Sequence, residues 1–132
     1  MVSSKIEEIY ILSDQINESL LVQMYLEYHD LKVNFTGNNS ERLSPLDNIQ
    51  KIKRTCERTE MLIRLYAPSL IDDFEKYRNF IEEFQITISK FNRIDEKEKS
   101  KQMSELLDLL IKYKREFQSS IENLVKRLGY NG

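Results

Sequence analysis

LIDDFEKYRNFIEEFQITISKF, running from Leu70 to Phe91, decides the fold class. Its residues Leu70, Phe74, Tyr77, Ile81, Phe84, Ile88 and Phe91 alternate steps of four and three, a strict heptad spacing, and Phe80 broadens the stripe. Such steps return to one face of a helix, whereas a strand would alternate by two. The aromatic weight of that face predicts that this helix is the most buried element of the chain.

Immediately upstream, Ala67-Pro68 must stop or kink a helix, because the proline ring disfavours a helical residue before it and removes an amide donor. Ser69, with Asp72 three residues on, is a candidate cap for the helix that follows. Before the break, Ser44-Pro45-Leu46-Asp47 places a capping serine, a proline at the first helical position and an acid at the positive helix end. The stripe of that segment is Leu46, Ile49, Ile52, Cys56, Ile63 and Tyr66, interrupted by Thr59.

Further back, Ser4 and Glu7 form a capping box, predicting a helix start at Ser4. From there Ile6, Ile9, Ile16, Leu20, Met24, Tyr28 and Leu31 keep one face. The polar run Asn34 to Ser44, containing Gly37, has no periodicity and reads as a connector. Beyond Phe91, Asp95 with Glu98 starts a last segment whose stripe is Met103, Leu107, Leu110, Phe117, Ile121, Leu124 and Leu128. Gly129 follows it, and Lys126 and Arg127 suit the negative helix end.

These segments predict an all-α fold: an antiparallel up-down-up-down four-helix bundle forming one domain over residues 1–132. Helices of about 29, 22, 23 and 33 residues make the first and last the longest, with ends that overhang the inner pair. The competing topology has three helices, with Pro68 merely kinking a continuous middle one. Because Ala67 is the only alanine, the core must be filled by larger side chains, with wide helix spacing.

A chain of 132 residues buries enough surface to need no disulfide or metal. The single cysteine, Cys56, lies among apolar neighbours and reads as a small core residue in a reducing compartment. Neither a signal peptide nor a membrane-spanning run is legible, so the expected location is cytoplasmic. A net charge of −2 gives no global attraction to nucleic acid or membrane. Locally, however, the first segment is acidic (Glu7, Glu8, Asp14, Glu18, Glu27, Asp30) and the second basic (Lys51, Lys53, Arg54, Arg58, Arg64), which favours their lying side by side.

Catalytic chemistry is hard to assemble from this inventory. A di-iron bundle needs Glu-x-x-His pairs on two helices, but His29 is the only histidine and Leu26 stands three before it. One Cys and one His cannot make a zinc site, and no serine sits in a nucleophile elbow. The adjacent acids Asp72-Asp73 and Glu82-Glu83 diverge by about 100° on a helix and read as a solvated face. No catalytic, cofactor-binding or metal residue is therefore assigned. A nucleic-acid face would rest on Lys51, Arg54 and Arg58, with Lys112, Lys114 and Arg115 as a second patch. Interleaved Glu57, Glu60 and Glu116 weaken both.

Two local resemblances bear on function. His29-Asp30-Leu31-Lys32 has the His-x-x-Lys spacing of histidine phosphotransfer domains, although Val33, Asn34 and Phe35 follow where that family has a small residue. The resemblance implies a phosphoryl-carrying His29 beside a cationic Lys32. Arg64-Leu65-Tyr66-Ala67-Pro68-Ser69-Leu70, followed by Phe74, resembles the arginine–tyrosine, turn, helix junction of small uncharacterised bacterial helical-bundle proteins and implies no activity.

The reading favoured by the whole chain is a non-enzymatic bundle acting through protein–protein contact, as an adaptor, inhibitor or immunity-type factor. Abundant Ile, Lys, Asn and Glu with one Ala point to a low-GC bacterium or its phage. Apolar residues outside the main stripes, Tyr10, Ile11, Leu21 and Tyr25 on the first helix and Leu106, Leu109, Ile111 and Tyr113 on the last, predict an exposed face for self-association or a partner helix.

Overall fold

The computed structural model describes residues 2–29 and 45–129. Within them the chain forms four α-helices: α1 (Val2–Tyr28), α2 (Pro45–Tyr66), α3 (Ile71–Ser89) and α4 (Glu96–Arg127). Short 3-10 turns, Pro68–Leu70 and Phe91–Arg93, lead into α3 and out of it. At 27, 22, 19 and 32 residues, the first and last helices are the longest, as expected. No strand occurs among the described residues. The connector Asn34 to Ser44, with the capping role given to Ser44 and the stripe position of Leu31, lies outside the described residues.

The break at Ala67-Pro68 is complete. Ala67 leaves helical geometry at φ −147°, ψ 55°, after its amide closes α2 onto the Ile63 carbonyl at 2.8 Å. Arg78 of α3 then reaches Glu60 of α2, so the two helices lie side by side. This is two helices, not one kinked one. The Ser69–Asp72 cap does not form: the residue before α3 is Leu70, which makes no side-chain cap bond. The 3-10 turn does that work, with Leu70 N–H donating to the Ala67 carbonyl at 2.9 Å.

The Ser4–Glu7 capping box is also corrected, since α1 already runs from Val2 and carries both residues inside it. Ser4 is exposed, and water can serve first-turn amides at an open helix end. At the other end of the chain the signals hold. Asp95 accepts from the Glu98 amide at 2.8 Å, Lys126 and Arg127 occupy the last turn of α4, and Gly129 takes φ +77° while its amide donates to the Lys126 carbonyl.

In cross-section, α1 and α3 each pack against all three other helices, and α2 and α4 each pack against both of them. Every heptad residue of the α3 stripe is buried, and so is Phe80. Phe74 and Tyr77 pack on Phe117 of α4 at 5.5 Å between ring centroids, and Phe80 stacks on Tyr113 at 4.5 Å. The expectation that α3 alone is most enclosed needs revision, because α1 buries Ile6, Ile9, Leu12, Ile16, Leu20, Met24 and Leu26 around more than one side.

The α2 stripe is rotated from the one read by apolarity. Leu46 is 64% exposed and Ile49 and Tyr66 are also exposed, while Asn48 and Thr59 point inward beside Ile52, Cys56, Leu62 and Ile63. Polar groups can sit there because they are bonded. The Thr59 hydroxyl donates to the Thr55 carbonyl at 2.7 Å, and the Asn48 amide donates to the Ser19 carbonyl of α1 at 2.8 Å. A second polar layer joins α1, α3 and α4. Tyr77 OH donates to Asn17 Oδ1, and Gln118 Nε2 donates to Ser13 Oγ at 2.8 Å and to Asp14 Oδ1 at 2.9 Å.

Candidate interaction face

The predicted segregation of charge has a direct expression at the seam of α1 and α2, where Arg58 Nε donates to Glu8 Oε2 at 2.8 Å. That bond takes one member of the Lys51, Arg54, Arg58 stripe into an intramolecular pair, while Lys51 and Arg54 project from exposed positions. On the far side of α2, Glu60 receives both Arg64 and Arg78. The second basic patch is divided as well: Lys114 bridges to Asp14 at 2.9 Å, Lys112 lies 5.7 Å from the Tyr113 ring centre, and Arg115 is exposed.

His29 follows the last helical residue of α1 and is exposed. Its ring sits 4.5 Å from Tyr25 and 5.0 Å from Tyr28. Lys32, its companion in the phosphotransfer spacing, lies outside the described residues. Asp72, Glu82 and Glu83 are exposed and Asp73 is half-buried. No group of three His, Cys, Asp or Glu side chains gathers where a metal could bind among the described residues. No helix among them is long and apolar enough to cross a membrane.

Cys56 is buried, and burial pushes its thiol from the ordinary value of 9.0 up to about 11. A buried neutral thiol is a poor nucleophile. Two outcomes follow. Ellman's reagent should modify native protein only as fast as the chain unfolds, and rapid stoichiometric labelling would contradict that. Because only the unfolded chain releases this proton between 9.0 and about 11, folding stability should be undiminished by this group below that window and fall as pH rises through it.

Where the sequence offers no chemistry, the surface offers an asymmetry. α1 and α3 each touch all three other helices, and each also keeps an exposed side. The open side of α3 shows Asp72, Glu75, Lys76, Asn79, Glu82 and Glu83 with one exposed aliphatic, Ile86. That of α1 shows Ile11, Leu21, Val22 and Tyr25 interspersed with Glu7, Gln15 and Glu18. Tyr25 at 58% and Ile11 at 48% exposure are large apolar side chains left out of the interior on that side. Of the exposed positions expected on α1, Ile11, Leu21 and Tyr25 hold, Tyr10 is half-buried, and Val22 was missed. On α4, Leu109 and Ile111 are exposed, but Leu106 is buried and Tyr113 is half-buried against Phe80.

Two grooves flank this side along the α1–α4 seam. One of about 1020 Å³ is bounded by Glu7, Tyr10 and Ile11 of α1 and Ile121, Glu122 and Val125 of α4. The other, about 190 Å³, is lined by Leu21, Met24, Tyr25 and Tyr28 with Met103 and Leu107. Between them Asp14, Lys114 and Gln118 close the seam. Burial alone would raise the Asp14 carboxyl, yet its bonds to Lys114 and Gln118 hold it below the ordinary carboxylate value. The grooves are therefore apolar ends separated by a charged rung. Comparison with protein-family models, with curated proteins and with solved structures gives no match to this chain.

Proposed function

We propose that this chain is a non-enzymatic helical bundle that acts through protein–protein contact, as an adaptor, inhibitor or immunity-type factor, in the cytoplasm of a bacterium or in its phage. One observation carries the reading: of the two helices that touch all three others, α3 turns a charged side to water, and α1 one on which Ile11, Leu21, Val22 and Tyr25 stand among Glu7, Gln15 and Glu18. The helices run up-down-up-down. Support comes from contacts pairing rising with falling numbers: Glu8 with Arg58 and Ser19 with Asn48, Phe74 with Phe117 and Phe80 with Tyr113, Asp14 with Lys114 and Tyr28 with Ser100. In that arrangement the two longest helices are neighbours, and their seam holds both grooves.

Tyr25→Glu is expected to abolish retention of the binding partner, or of a second copy, on immobilised protein, with helicity by circular dichroism unchanged. Ile86→Glu, an equally exposed aliphatic on α3, is the control and should bind as wild type. Equal loss from both, or from neither, would remove the α1 side from consideration. Phosphotransfer through His29 receives no support from its aromatic surroundings. Nucleic-acid binding is weakened by the pairing of Arg58 with Glu8.

A further inference from the structure

The charges beside the apolar side of α1 identify its occupant. From Glu8, steps of three and four lead to Ile11, Gln15, Glu18 and Val22, so these share one flank of α1. From Arg58, the same steps lead back to Arg54 and Lys51 on α2. The Glu8–Arg58 bridge, with side chains 29% and 51% exposed, marks where the two flanks meet at the surface. A single face thus carries an acidic, apolar stripe (Glu7, Ile11, Glu18, Val22) beside a mainly basic one (Lys51, Arg54, Arg58), which the same spacing continues to exposed Asp47 at one end of α2 and exposed Leu65 at the other.

Two stripes of opposite sign side by side complement themselves. We infer that this face receives a second copy of the same chain, in a reading that deepens the protein–protein function proposed above. A two-fold axis parallel to the helices sets α1 of each copy against α2 of the other, acidic on basic twice over. Heights along the helices are unchanged by that rotation, and the Asn48–Ser19 bond puts Ser19 level with Asn48. Glu18 then meets Lys51 of the second copy within a turn, and Glu7 meets Arg58. A perpendicular axis would instead stack α1 on α1 and oppose Glu18 to its own copy. Charge selects the first arrangement.

Sedimentation equilibrium at micromolar concentrations tests the assembly, and a charge swap tests its geometry. Glu18→Lys and Lys51→Glu are each expected to weaken self-association by about tenfold or more, and the double variant to recover to within about threefold of wild type. Both positions are exposed, so circular dichroism should show unchanged helicity. Mixing Glu18→Cys chains with Lys51→Cys chains should give a disulfide between the two kinds, whereas dominant crosslinking of Glu18→Cys to itself would overturn the arrangement. A strictly monomeric wild-type chain would overturn the second copy altogether. If that monomer still captures another protein in a Tyr25-dependent manner, the contact function stands and only the occupant is wrong; if it captures nothing, both fall.

Discussion

Replacing Phe84 by alanine is expected to lower the unfolding free energy by about 3–5 kcal/mol, the cost of removing a buried aromatic whose space the neighbours fill only in part. Phe84 is fully buried, packs edge-on against Phe80 at 5.8 Å, and sits at the centre of the α3 heptad. Glu82, two residues earlier on the exposed side of the same helix, supplies the comparison, and Glu82→Ala should cost less than about 0.5 kcal/mol. Urea unfolding followed by circular dichroism reads both, the loss appearing as a lower midpoint at unchanged slope. Similar costs from the two substitutions would mean that the buried side of α3 has been misassigned.

The second large effect concerns the polar interior. Tyr77→Phe removes one oxygen and leaves Asn17 Oδ1 without the hydroxyl that donates to it, inside a buried layer. A buried acceptor stripped of its partner costs about 1–3 kcal/mol. Burial also drives the Tyr77 hydroxyl far above the ordinary value of 10.0, so it stays a donor at any pH the fold tolerates. Tyr77→Phe combined with Asn17→Leu, which discards both polar partners, should recover part of the loss. If the single substitution proved neutral in urea titration, the Tyr77–Asn17 bond would contribute nothing to stability.

What could be read from the residues depended on whether each signal was local. Pro45, Ala67-Pro68, Asp95 with Glu98, and Gly129 act on their own backbone, and each marks a helix end in the structure. The α3 stripe was legible because its buried positions are all apolar or aromatic. On α2 the same logic misled, since Asn48 and Thr59 are buried through bonds to Ser19 and Thr55, and only the first of those depends on another helix. Buried Asn17 and Gln118 are invisible to apolar periodicity for a like reason: each is tolerable only once its partner on a neighbouring helix is known, whereas buried Ser13 also donates to the Tyr10 carbonyl of its own helix. The open side of α1 was half legible. Ile11, Leu21 and Tyr25 stood outside the main stripe, but which way they face, and the exposure of Val22 beside them, depends on three neighbouring helices.

The polar rungs also fix how the helices are staggered. Ile, Leu and Phe side chains tolerate a slide of one helix past another by a turn, because the next apolar residue arrives in nearly the same place. Asn48 on Ser19, Gln85 on Gln23, Tyr77 on Asn17 and Gln118 on Ser13 tie α1 to the other three helices at four separate heights. A slip of one turn would strand several donors in the interior at once, each at about 1–3 kcal/mol. α1 is therefore keyed like a rod with notches, free to seat at one depth only, and the side it leaves open to solvent is presented at a constant height against the flank of α2.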